Sequence, residues 1–321
     1  MRLDGVATPA PILLLGDCVY CHTGLNPVAP IPAAAQPKVD GGGSAPTYSG
    51  LAGSGAVNGT LAGGDFYWVG ASGDAYGHNV KSFDNPDSTL GNTPPGGAAL
   101  GAQLECAGVY GCHGNPSITA PLSSLQGAHH SAHGTPANSA ANIDGTTVGR
   151  SFRYLLGVLG YEDSDWQHTE SAADHNIYQG EARAAANAAH DSRTISGLCA
   201  KCHGAYHNTV DAAAVDTYGI NTDNATLGGQ WIRHPTDYSM PLAGEYAGYA
   251  TYQPETPVGK GIGSLGNPAT QVNTAADRIV LCISCHRAHG SPYQDMLRWS
   301  YGTMQVGTGV TTGCMNCHTA K

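Results

Sequence analysis

The stretch "CISCHRAHG", residues 282 to 290, places two cysteines three positions apart, a histidine directly after the second, and a further histidine three residues on. Thiols at that spacing lie on one face of a single helical turn. They can both add to the vinyl groups of one porphyrin, while the imidazole of the next residue, His286, reaches the iron from the proximal side. His289, one turn beyond, is placed to reach the iron of an adjacent haem.

The pattern recurs as "CVYCH" (Cys18, Cys21, His22), "CAKCH" (Cys199, Cys202, His203) and "CMNCH" (Cys314, Cys317, His318). A fifth stretch, "CAGVYGCH" at 106 to 113, keeps the ending Cys112, His113 but puts five residues between Cys106 and Cys112. The ten cysteines form five pairs with none left over. A disulfide framework would also use an even number, yet it does not explain a histidine after every pair. A zinc site would draw four ligands from two nearby pairs, and the first four pairs here are roughly eighty to ninety residues apart. The sequence therefore predicts five covalently bound haem c groups with His22, His113, His203, His286 and His318 as proximal ligands. At the long motif "AGVYG" must loop outward, and Gly108 and Gly111 make that bulge easy.

Five of the 15 histidines are then proximal, which leaves ten for at most five distal positions. "GHNV" puts His78 after a glycine, where close backbone approach to a flat porphyrin is cheap. "CHGAYH" and "CHRAHG" put His207 and His289 one turn past a proximal histidine, and "RHPTD" puts His234 before a proline, which favours extended backbone. "GAHHSAHG" offers His129, His130 and His133. His175 reads evenly as ligand or as ordinary histidine. His168 and His190, set among polar residues, read as surface or hydrogen-bonded histidines. If every iron takes two histidines, no iron is open to substrate, so the chain is expected to carry electrons and to have no catalytic residue. A haem oxidoreductase with one open iron, a monomeric periplasmic or surface electron shuttle, and an adhesive filament with haems as core elements are the alternatives.

Composition sets the frame for these sites. With 45 glycines, 19 prolines and 12% charged residues, the chain is loop-rich. The expected fold is mostly coil with short helices and a few short strands around haems that supply the core. Three regions are expected: 1–30, an N-terminal arm with the first haem site; 31–105, a Gly/Pro-rich loop region with short strands; and 106–321, a multihaem core with four sites. Within them "GDFYWVGASG" (64–73) reads as strand, and "SFRYLLGVLGYEDSDW" and "YQGEARAAANAAHDSR" as more helical. Asn58 and Asn224 match glycosylation triplets that also arise by chance. A net charge of -10 without a Lys/Arg cluster argues against nucleic acid, and no apolar run is long enough to span a bilayer. The N-terminus lacks a basic stretch followed by an apolar one, so the chain is expected to be the processed form of an exported precursor.

The ordered set "CAGVYGCHG", "GAHH", "SFRYLLGVLGYED" with "DHN", "CAKCHGAYH", "WIRHPTD", "CISCHRAHGSPYQDMLRW" and "GCMNCHTAK" resembles secreted cytochromes with doubled Cys-x-x-Cys-His motifs. More loosely it is similar to the OmcE-like extracellular cytochromes. The resemblance implies a loop-rich, bis-histidine subunit that polymerises into haem-stacked conductive filaments (nanowires), an arrangement in which one copy can lend a haem ligand to the next, with redox donor and acceptor proteins or extracellular acceptors as the other partners. It favours His78, His130, His175, His207, His234 and His289 as the distal pool, six for five places. The best-known subunits of that group carry four haems, and this chain carries five motifs.

Overall fold

The structure, a computed structural model, describes residues 17–27, 36–48, 59–125, 143–182, 191–204, 234, 236–264 and 266–321. His129, His130, His133, His190, His207, Asn58 and Asn224 lie outside the described residues. The described chain is mostly coil, turns and 3-10 turns, with six short helices and seven short strands among the described residues: α1 (Val19–His22), α2 (Tyr67–Ser72), α3 (Pro121–Ser124), α4 (Ile195–Ala200), α5 (Cys282–Cys285), α6 (Cys314–Cys317), and β1 (Glu105–Ala107), β2 (Gly111–His113), β3 (Gly160–Tyr161), β4 (Ile177–Gly180), β5 (Tyr238–Ser239), β6 (Lys260–Gly261), β7 (Ile279–Val280). No element is long enough to hold together on propensity alone. Among the described residues no helix is long and apolar enough to cross a membrane.

The strands assemble three small sheets. β1 pairs with β2 in parallel; β4 lies between β3, antiparallel, and β6, parallel; β5 pairs with β7 antiparallel. Because successive side chains on a strand point to opposite faces, the two residues of β7 serve two cores. Ile279 joins Ile143, Phe152, Leu155, Val158, Tyr178, Ile195, Leu281 and Ile283. Val280 joins Met240, Tyr249, Tyr252, Val258 and Val272, against which Tyr246 and Cys317 also pack. The first core thus abuts the attachment motif of α5 and the second that of α6. Buried arginines brace the same region: Arg298 donates from Nε to the Ile283 carbonyl at 2.7 Å, and the Arg287 guanidinium donates to Leu61 and Ala62 carbonyls and lies 5.2 Å from the Tyr48 ring centroid.

Two expectations are corrected. The stretch 64–73, expected as strand, holds α2. Asp65, buried, accepts hydrogen bonds from the Tyr67 and Gly41 N–H groups, and Gly73 at φ 110 closes the helix by donating to the Val69 carbonyl. Phe66 stacks on Phe83 and on His289, at 4.8 and 4.7 Å between ring centroids. Tertiary packing and a carboxylate at the helix start therefore override the β preference of the aromatic residues. The stretch 151–166, expected as helical, is a 3-10 turn at Phe152–Tyr154 followed by β3. Arg153 and Tyr154 adopt positive φ, and the Phe152 N–H donates to the Val158 carbonyl. The chain doubles back, so Phe152, Leu155 and Val158 reach one core from a turn, although their three-residue spacing looks helical. In the last segment read as helical, β4 occupies 177–180, and 183–190 lie outside the described residues.

Candidate haem-binding sites

Four of the five motifs fold into the same turn. In each, the N–H of the histidine donates to the carbonyl of the first cysteine: His22 to Cys18 at 3.1 Å, His203 to Cys199 at 2.9 Å, His286 to Cys282 at 3.1 Å and His318 to Cys314 at 3.0 Å. That helical bond puts both thiols on one side of the turn. Local caps hold two of these turns. Thr194 Oγ1 accepts the Gly197 N–H at the start of α4, and the Leu281 N–H donates to Ser284 Oγ at the start of α5.

The fifth motif reaches its goal by another route. Cys106 lies on β1 and Cys112 on β2, two strands in parallel register with Glu105 opposite Gly111 and Ala107 opposite His113. The intervening residues loop out, with Gly108 at φ 86. A side chain at Gly111 would strike the Ala107 nitrogen and come within 2.6 Å of the Glu105 carbonyl oxygen, and one at Gly108 would come within 2.7 Å of the Ile118 carbonyl oxygen. No disulfide joins Cys106 to Cys112.

Four of the five histidines behind the motifs share a second feature. Nδ1 of His22 donates to the Pro37 carbonyl at 2.8 Å, that of His113 to Arg153 at 2.9 Å, that of His203 to Pro95 at 2.8 Å and that of His286 to Asp295 at 2.6 Å. Nδ1 of His318 lies 3.3 Å from the Glu245 carboxylate instead. A carbonyl can only accept, so the proton of each of those four imidazoles sits on Nδ1 and the Nε2 lone pair faces outward, as a metal ligand requires. His78 and His175 are held in the same way by the Ala288 and Asn176 carbonyls, both at 2.7 Å.

Three candidate distal histidines face three of these imidazoles. Ring centroids lie 6.1 Å apart for His78 and His203, 6.4 Å for His113 and His289, and 6.2 Å for His234 and His318. Two imidazole nitrogens each about 2 Å from one metal, with each ring centre about 1 Å further out, give a separation of roughly 6 Å. The donor set and its spacing therefore fit one iron between each pair. Desolvation pushes His78, His113 and His289 below the usual histidine range, His289 to about 3, which keeps these imidazoles in the neutral, ligating form near neutral pH.

The other candidates are placed differently. His175 is buried and stacked on Tyr252 at 3.5 Å, with Nε2 lacking a hydrogen bond. His168, read from its polar neighbours as a surface or hydrogen-bonded histidine, is fully buried and neither ring nitrogen has a hydrogen-bond partner. The polar residues around it fold inward with it: Asp163, Asp165, Gln167 and Asn176 are all buried and bonded to one another or to backbone. A side chain at Gly77 would strike Val69 Cγ2 and meet the His289 carbonyl oxygen at 2.6 Å, so this glycine lets the backbone at 289–290 pack closely.

Two supporting segments form a repeat hidden in the sequence. Arg153 and Tyr154 at φ 49 and 61, and Asp295 and Met296 at φ 58 and 57, are paired left-handed residues. In each case the first carbonyl accepts the histidine Nδ1–H. The second carbonyl accepts the N–H of the residue after the histidine, Gly114 to Tyr154 at 2.7 Å and Arg287 to Met296 at 2.8 Å. Left-handed backbone costs roughly 1–2 kcal/mol per non-glycine residue, and both sites accept that cost to aim a carbonyl. "FRYL" and "QDML" stand 40 and 9 residues from their histidines, so no period betrays them.

The attachment cysteines adjoin in chain order. Cys18 shares a hydrogen bond with Cys106, which lowers the Cys18 pKa and raises that of Cys106. Cys112 is pushed up to about 11 by burial and then by Cys202. Cys199 is raised first by its hydrogen bond with Cys282, and Cys285 is pushed up to about 12 by burial and then by Cys317. The first and second sites thus touch through Cys18 and Cys106 and the third and fourth through Cys199 and Cys282, while Cys112 and Cys202, and Cys285 and Cys317, lie within electrostatic reach of each other.

Turns that present two thiols, imidazoles with the proton fixed on Nδ1 and imidazoles facing them at one metal's span are the features that covalent attachment and axial ligation of haem c require. The family model of the doubled CXXCH motif matches residues 274–321. C-type cytochrome OmcS of Geobacter sulfurreducens is 28% identical over 272 residues, 74% of this chain and 61% of OmcS. The chain thus spans less than two thirds of the length of that relative. Two solved chains are similar at low identity: the Outer Membrane Cytochrome S filament from Geobacter sulfurreducens, at 18% identity and TM-score 0.41 over 88% of this chain and 74% of that one, and the OmcS nanowires from the same organism, at 17% and 0.34 over 88% and 83%.

Proposed function

We propose that this chain is a pentahaem, bis-histidine c-type cytochrome that carries electrons outside the cell as one subunit of a homopolymeric filament. The observation that carries the electron-transfer reading is the set of three facing imidazole pairs at 6.1 to 6.4 Å. Haem c bound there supplies a one-electron ferric–ferrous couple, and two imidazoles leave the iron no position for substrate. Cys18, Cys21, Cys106, Cys112, Cys199, Cys202, Cys282, Cys285, Cys314 and Cys317 hold the groups covalently. His22, His113, His203, His286 and His318 ligate them, faced by His78, His289 and His234 and by further members of the pool His130, His175 and His207.

The adjoining cysteines favour a path that runs through the five sites in chain order. Such a chain of closely spaced carriers suits conduction rather than catalysis, and end-to-end assembly would lengthen it. The filament and the extracellular location rest on the resemblance to OmcE-like cytochromes and on the relationship to OmcS. Electron microscopy of the purified holoprotein is expected to show filaments; monodisperse globular particles under all conditions would contradict the polymer and leave the electron carrier standing.

A further inference from the structure

The site at Cys314–His318 departs from the other four in one respect. At those, a backbone carbonyl accepts the histidine Nδ1–H. At this one, the 3-10 turn Gly244–Tyr246 is present but its Glu245 carbonyl is taken twice, by the N–H and the hydroxyl of Thr319, both at 2.7 Å. The Glu245 side chain turns instead to His318, with Oε2 3.3 Å from Nδ1. Both side chains are about a quarter exposed, at 24% and 28%. The same oxygen lies 3.2 Å from the ammonium of Lys321.

A carboxylate oxygen 3.3 Å from Nδ1 puts a formal negative charge beside the imidazole, where an amide carbonyl offers only a dipole. The imidazole then gains anionic character and becomes a stronger donor through Nε2. A stronger donor, together with the carboxylate's charge, favours ferric over ferrous iron. We infer that Glu245 is a positioning residue that gives the haem held by His318 the lowest reduction potential of the chain, so that this end of the series releases an electron to its neighbour most readily. The inference rests on His318 being an axial ligand. Each step moves one electron, from ferrous iron at this site to ferric iron at the next, with no bond broken. Lys321, on the same carboxylate oxygen, restrains the effect.

Potentiometric titration of the holoprotein tests this, combined with low-spin electron paramagnetic resonance to follow axial-ligand strength. Glu245→Gln is expected to raise the lowest-potential component by at least tenfold in its reduction equilibrium, about 59 mV for one electron, and to shift one set of g-values. The other components stay in place, and Glu245→Asp keeps part of the effect. Lys321→Ala, at a largely exposed side chain, is expected to lower the same component and to move the same g-values the opposite way. The inference is overturned if Glu245→Gln leaves the lowest component unmoved, or moves it with no change in g-values, as simple loss of a nearby charge would. Should Glu245→Gln fail to fold, Lys321→Ala decides alone: no shift overturns it. A high-spin signal from about a fifth of the iron in the unaltered protein that His318→Ala leaves unchanged would instead contradict the ligation of His318. Potentials unmoved in a fully low-spin protein would sink the inference alone.

Discussion

His289→Ala is expected to turn one haem, the one proposed between His113 and His289, from low spin to high spin and open to carbon monoxide. The His289 ring lies 6.4 Å from that of His113, and alanine has no donor to replace it. About one fifth of the total haem should change its spectrum, with the rest unaltered. The ring is also packed against Phe66 at 4.7 Å, so its removal is expected to destabilise the fold by about 2–3 kcal/mol. Added imidazole can refill the space and supply the missing nitrogen, so it should restore the low-spin signal without restoring the packing. A variant whose visible and magnetic spectra match those of the parent would show that His289 is not a ligand.

Gly111→Val is expected to remove one of the five proposed haems from the chain. A Cβ at this position would strike the Ala107 nitrogen and approach the Glu105 carbonyl oxygen at 2.6 Å, and those atoms belong to the strand opposite it. Backbone cannot yield as a side-chain tip can, so β1 and β2 must separate, and Cys106 and Cys112 lose the register that presents them together. Intact mass under denaturing conditions is expected to fall from five haems to four. Cys106→Ser with Cys112→Ser should give the same count with the strands intact. A parent mass of four haems would mean that the long motif carries none.

The cysteine pairs and the histidines behind them are legible because attachment chemistry is local: five residues hold both thiols and the ligand, and four of the motifs form the same helical turn. Even the spaced motif gives itself away, since the glycines that its loop needs lie inside it. The partners of these histidines are another matter. His289 stands three residues from His286 yet faces His113, and His78 faces His203, pairings fixed only when distant segments pack. Pro37, Pro95, Arg153 and Asp295 act through backbone carbonyls, which no residue type announces. Glu245 and His168 are concealed by the same fact: polarity in the sequence does not say whether a side chain meets water, a proton or a ligand. The strand expected at 64–73 failed for a related reason, because the carboxylate that starts its helix also binds Gly41 from another segment.

Each iron is expected to be held between two histidines and so to carry electrons without an open position. Low-temperature electron paramagnetic resonance of the oxidised, assembled protein, quantified against total iron, tests it most directly. The expected result is low-spin signal accounting for all of the iron in five haems, with no high-spin component. A high-spin signal from about one fifth of the iron or more would contradict it and point to an open haem.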